Sequence, residues 1–128
     1  MRFMLMMKGD PDSAAAGAPP QELLEAIARH GEEMAKAGVV LDSGGLAPLV
    51  TGAQIKVAKG RVSVIDGPFA EAKELVAGYA MVRVGSKEEA VELARRFMEI
   101  HREHWAGWEG EAEVRQVFGP EDGGPAPA

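Results

Sequence analysis

Leu75-Val76-Ala77-Gly78-Tyr79-Ala80-Met81-Val82-Arg83-Val84, followed by Gly85-Ser86-Lys87-Glu88-Glu89-Ala90, is the stretch whose reading decides the fold. Its first ten residues are rich in apolar and β-branched side chains with Tyr79 in the middle, the composition of a long strand. Ser86 with Glu89 three residues on forms a capping box, in which the hydroxyl accepts from an unpaired amide of the first helical turn. A helix is therefore expected to open there, with Ala90, Val91, Ala94, Phe97 and Met98 on its inward face. Beyond it, Ala112, Val114, Gln116 and Phe118 alternate with Glu111, Glu113 and Arg115, which reads as a last strand over 111–118.

The first half is read in the same way. Arg2 to Met7 is a short apolar run stopped by Gly9-Asp10-Pro11, consistent with a buried strand. Asp10 to Pro20 is rich in Pro, Ala and Gly and reads as a loop, with Pro20 at the first helical position, where a missing N–H costs nothing. Leu23, Leu24, Ile27, Met34 and Ala35 then recur at helical spacing until Gly38 supplies a stop. Val39-Val40-Leu41 follows as a strand that ends at Asp42-Ser43-Gly44-Gly45. Between the halves, Gln54–Ala58 and Arg61–Ile65 alternate on either side of Lys59-Gly60 and predict a hairpin. The order is strand, helix, strand, hairpin, strand, helix, strand: an α+β chain, ferredoxin-like βαββαβ with an extra hairpin. One domain over 1–118 is expected, with 119–128 a disordered acidic Gly/Pro tail. Two helices cover one face of such a sheet, and apolar residues on its other face predict a homodimer.

Composition narrows the function classes. The 128 residues include no cysteine, which excludes disulfides, thiolate nucleophiles and zinc–thiolate sites. The net charge is −6, and the excess of acid falls from Glu88 onward. That balance disfavours nucleic acid and anionic membranes as partners. The apolar run Phe3–Met7 is too short for a secretory or membrane-spanning segment, so a cytoplasmic location is expected.

Several residues stand out chemically. Asp66-Gly67-Pro68-Phe69-Ala70-Glu71-Ala72-Lys73-Glu74 packs four ionisable groups into one strand-end loop. Turn chemistry accounts for Asp66, Gly67 and Pro68, but not for Phe69, Glu71, Lys73 and Glu74 beside them. A carboxylate held by Lys73 suits a general base or a group that orients a polar substrate. Asp66, Glu71 and Lys73 are thus catalytic candidates, and His30, on the inward side of the first helix, is a fourth. The expected pocket combines Asp66, Phe69, Glu71, Lys73, Glu74 and Tyr79 with His101, His104 and Trp105 at its rim. His101 and His104 lie three apart without a third ligand, so no metal site is expected, and the two are read as lying at a fraying, amphipathic helix end. Asp42-Ser43-Gly44-Gly45 is Gly-rich but lacks a phosphate-loop lysine.

At Asp66-Gly67-Pro68-Phe69 through Glu71, Lys73, Glu74, Gly78 and Tyr79, the chain resembles the YCII-related family, in the subgroup named for its DGPF motif. Arg2-Phe3-Met4, Gly44-Gly45-Leu46, His104-Trp105, Gly107-Trp108-Glu109-Gly110 and Glu113-Val114-Arg115 extend the resemblance. It implies a dimeric α+β barrel, in a superfamily that includes muconolactone isomerase-like and monooxygenase-like enzymes. One branch is associated with a His–Asp pair. His30 lies near the matching helix, and an Asp partner is not evident. The function expected first is that of a cofactor-independent enzyme or a binding protein for a small organic molecule. The alternative is a non-catalytic dimeric accessory protein acting through a protein partner, and the resemblance implies a link to sigma-factor regulation.

Overall fold

A computed structural model describes residues 1–10, 17–47, 51–67 and 75–120. In chain order the elements are β1 (Arg2–Gly9), α1 (Gln21–Ala37), β2 (Val40–Gly45), β3 (Ala53–Ala58), β4 (Arg61–Asp66), β5 (Leu75–Arg83), α2 (Lys87–His104) and β6 (Gly110–Val117). Four strands form an antiparallel sheet in the order β2-β5-β1-β6, and β3 and β4 form a separate two-stranded hairpin. With the hairpin set aside, that order is the one a ferredoxin-like βαββαβ chain makes, with the two halves interleaved.

Alternation along the strands sorts the side chains onto two faces. Phe3, Val82 and Val84 are buried against Ala90 of α2, with Leu5, Val40, Leu93 and Val114 packed around them. Leu23 and Ala26 bury the inner side of α1. Met4, Met6, Tyr79 and Met81 occupy the alternate positions and face away from this core. Among the described residues, no helix or strand covers that second face.

The helix ends follow local chemistry with small departures. Gly38 takes φ 72°, the left-handed conformation that ends α1, and its N–H donates to the Ala35 carbonyl. Pro20 lies one residue before the helix and not at its first position; its carbonyl accepts from the amides of Leu23 and Leu24. At α2 the Glu89 amide donates to Ser86 Oγ at 3.2 Å, as the capping box requires. The reciprocal arm differs: Glu89 Oε2 accepts from the Gly85 amide, at 3.1 Å.

Four expectations are corrected. Strand β2 runs on through Asp42–Gly45 because Ser43, Gly44 and Gly45 pair with Ala80, Tyr79 and Gly78. Val91 is exposed, since Ala90, Ala94 and His101 define the buried stripe of α2. Phe118 lies beyond the end of β6 and is exposed rather than inward. His101 is not at a fraying end but is 2% exposed in the helix layer. Of the tail expected from residue 119, only Gly119 and Pro120 are among the described residues.

Candidate functional site

The open face of the sheet is built in cross-strand rows. Gly44, Tyr79, Met6 and Glu113 stand opposite one another across the four strands, and Asp42, Met81, Met4 and Arg115 form the next row. The centre of both rows is a floor of three methionines, soft side chains that fit ligands of irregular shape. Met4, Met6, Tyr79 and Met81 are all half-buried.

Polar groups flank this floor on both sides. On the β2 side the Tyr79 hydroxyl donates to Asp42 Oδ2 at 3.4 Å, and the Ser43 amide donates to Asp42 Oδ1 at 2.9 Å. Gly44 makes room for the phenol. A Cβ there would lie 3.1 Å from Tyr79 Cε1 and 3.3 Å from its hydroxyl oxygen. On the β6 side Lys8 Nζ is 2.7 Å from Glu113 and 4.0 Å from Glu111, with Arg115 3.8 Å from the other Glu113 oxygen. The hydrogen bond from Lys8, then its charge, holds the Glu113 carboxyl below the usual carboxylate range. An apolar floor with a few convergent polar groups is the make-up of a small-molecule site. Asp42 can accept from a ligand hydroxyl or amine, while the Lys8–Glu113 pair offers both a donor and an acceptor.

A second cluster lies in the helix layer. His30, Phe97, His101, Trp108 and Trp105 form a column of rings, with centroid spacings of 6.1, 4.8, 4.8 and 5.9 Å. His101 Nδ1 is 2.9 Å from the Phe97 carbonyl. A carbonyl only accepts, so Nδ1 carries the proton and a neutral ring leaves Nε2 the acceptor. Burial pushes the His101 pKa down, with the Phe97 hydrogen bond opposing. His30 is lowered too, by burial first and then by Arg96, against Glu33. His104 takes another partner, its Nδ1 3.7 Å from Glu22 Oε1. The two α2 histidines thus point to different partners.

The expected pocket residues therefore fall in separate places. Tyr79 is on the open face, whereas His30, His101, His104 and Trp105 belong to the helix layer on the other side of the sheet. Asp66 ends β4 and is exposed. Phe69, Glu71, Lys73 and Glu74 lie outside the described residues. Sequence reasoning missed Asp42, Lys8, Glu113 and the methionine floor. The signal for the first was present in Asp42-Ser43-Gly44-Gly45, where a strand glycine can mark the close approach of an aromatic ring. Among the described residues, no three His, Asp or Glu side chains are grouped as a metal site. No helix there is long and apolar enough to cross a membrane.

An uncharacterised protein of Rhizobium meliloti (strain 1021) is 36% identical over 72 residues, a match covering 56% of each chain. The chain thus spans just over half the length of that curated relative. The model of the YCII-related domain matches residues 1–109, which include both helices and every strand but the last. The chain belongs to the YCII-related family.

Proposed function

We propose that this protein is a cytoplasmic homodimer that binds a small organic molecule on the open face of its sheet, between the Tyr79–Asp42 pair and the Lys8–Glu113 pair. One observation carries the reading: a phenol and a carboxylate, hydrogen-bonded to each other over a glycine, border a floor of methionines. A ligand with an apolar body and a hydroxyl or amine at one end meets both requirements of that surface. The motif Asp66–Glu74, on which the resemblance to the DGPF subgroup rests, leads directly into β5, the strand of Tyr79. On this reading Asp66, Phe69, Glu71, Lys73 and Glu74 belong to the same site, and Glu71 or Lys73 supplies any acid–base step.

A thermal-shift screen of hydroxylated and amino-substituted aromatic and alicyclic compounds tests this, because a ligand that binds only the native state raises the melting temperature. Tyr79→Phe, Asp42→Asn, Glu71→Ala and Lys73→Ala should each leave the unliganded melting temperature within about 2 °C, as expected where a side chain serves binding rather than packing. Each should also remove the ligand-induced rise. Wild-type responses in Tyr79→Phe and Asp42→Asn together would place the site elsewhere. The competing reading, an accessory protein acting through a protein partner, draws on the exposed apolar hairpin. It gains if no compound shifts the melting temperature.

A further inference from the structure

The β3–β4 hairpin stands apart from the rest of its chain. All twelve of its strand residues are exposed, and its strands pair only with each other. Its turn is well specified: Lys59 and Gly60 take φ 52° and 75°, the pair of positive values a two-residue hairpin loop requires. Its register puts Ile55 opposite Val64 and Val57 opposite Val62, so all four share one face. They are 69%, 65%, 72% and 68% exposed. The reverse face carries Lys56, Ser63, Ala58 and Arg61. A lone two-stranded hairpin is marginal in water, and one with four β-branched residues on a single face needs a cover.

We infer that the hairpin is an arm, received on the open sheet face of a second copy of this chain over Met4, Met6, Tyr79 and Met81. This rests on the reading of that face as a binding floor and adds what roofs it: the partner's Ile/Val ledge. Two observations favour a second copy as the occupant. Each chain carries one unpartnered apolar ledge and one uncovered apolar floor, so a two-fold exchange satisfies both at once. The area also suffices. Four aliphatic side chains hide roughly 60–120 Å² each, and the floor beneath loses as much. Two arms on two floors therefore bury about 1,000–1,900 Å², the range of stable dimers.

The chain has no cysteine, so introduced cysteines report without background. Tagged Val57→Cys protein and untagged Met6→Cys protein are mixed, oxidised and run on non-reducing gels. A tagged–untagged disulfide dimer is the expected product. Val57→Cys linked only to itself would mean that hairpins pack on hairpins, and overturns the arm-on-floor arrangement. Absence of any intermolecular disulfide overturns it too, whether light scattering then shows a dimer or a monomer. As a second measurement, Val57→Asp and Val62→Asp, which touch no core of their own chain, should weaken dimerisation by about 30-fold or more. An unchanged dimer in both refutes the arm. Ligand-induced stabilisation is read separately, so a failed screen and a failed arm remain distinguishable.

Discussion

Lowering the pH should destabilise the protein through His101, and the effect can be sized. The ring is 2% exposed, 4.8 Å from both Phe97 and Trp108, and its Nδ1–H is committed to a backbone carbonyl. Burial depresses its pKa, so the folded chain holds a neutral imidazole where the unfolded chain, with the usual value near 6.5, takes up a proton. The unfolded state then binds more protons, so stability is intact above the unfolded value and is lost as pH falls through about 6.5 toward the folded one. One histidine loses at most about 1.4 kcal/mol between pH 7.5 and 5.5, a ceiling set by the unfolded chain, or roughly 5 °C in a domain of this size. His101→Phe keeps an aromatic ring between Phe97 and Trp108. It gives up one hydrogen bond, worth about 1 kcal/mol, at every pH. Urea unfolding followed by circular dichroism at pH 7.5 and 5.5 should therefore show a smaller pH dependence in the variant than in the wild type. A His30→Gln control accounts for the second depressed histidine, which titrates in the same direction. Equal losses in wild type and His101→Phe, with both folded at pH 7.5, would refute the assignment.

Two further substitutions test the frame that holds the site. Ser86→Ala removes the hydroxyl that accepts from the Glu89 amide and should lower unfolding free energy by about 1 kcal/mol in urea titration. Gly110→Ala places a methyl 2.5 Å from both the Lys8 carbonyl and the Trp108 ring; a loss of about 2 kcal/mol or more is expected, with altered tryptophan fluorescence.

The parts of the fold that were legible in the sequence are those with a local physical cause. Ser86 and Glu89 mark the start of α2, Gly38 the end of α1, and Lys59-Gly60 the hairpin turn, each through chemistry contained within a few residues. The extension of β2 through Gly44 and Gly45 was not legible, because pairing with Tyr79 and Gly78 is long-range and overrides what glycine does alone. The position of His101 was misread for a related reason. Three residues beyond Met98 it continues the inward stripe, but charged neighbours at 102 and 103 mask that period. The candidate site divides along the same line. Tyr79 stood out in its strand, whereas Asp42, Lys8 and Glu113 acquire meaning only when rows form across the sheet.

The position of β1 has a consequence for how the chain is made. It is an interior strand, hydrogen-bonded on one side to β5 and on the other to β6, both from the far half of the sequence. A nascent chain therefore exposes Phe3-Met4-Leu5-Met6-Met7 with both edges open until those strands have been synthesised. Contacts of such long sequence separation slow folding, since loop closure must precede any gain from pairing. During that interval the segment is a flat, uncharged template for pairing with another chain. The charges that bound it, Arg2 and Lys8, stand where gatekeepers against aggregation belong. In the folded chain the same Lys8 pairs with Glu113.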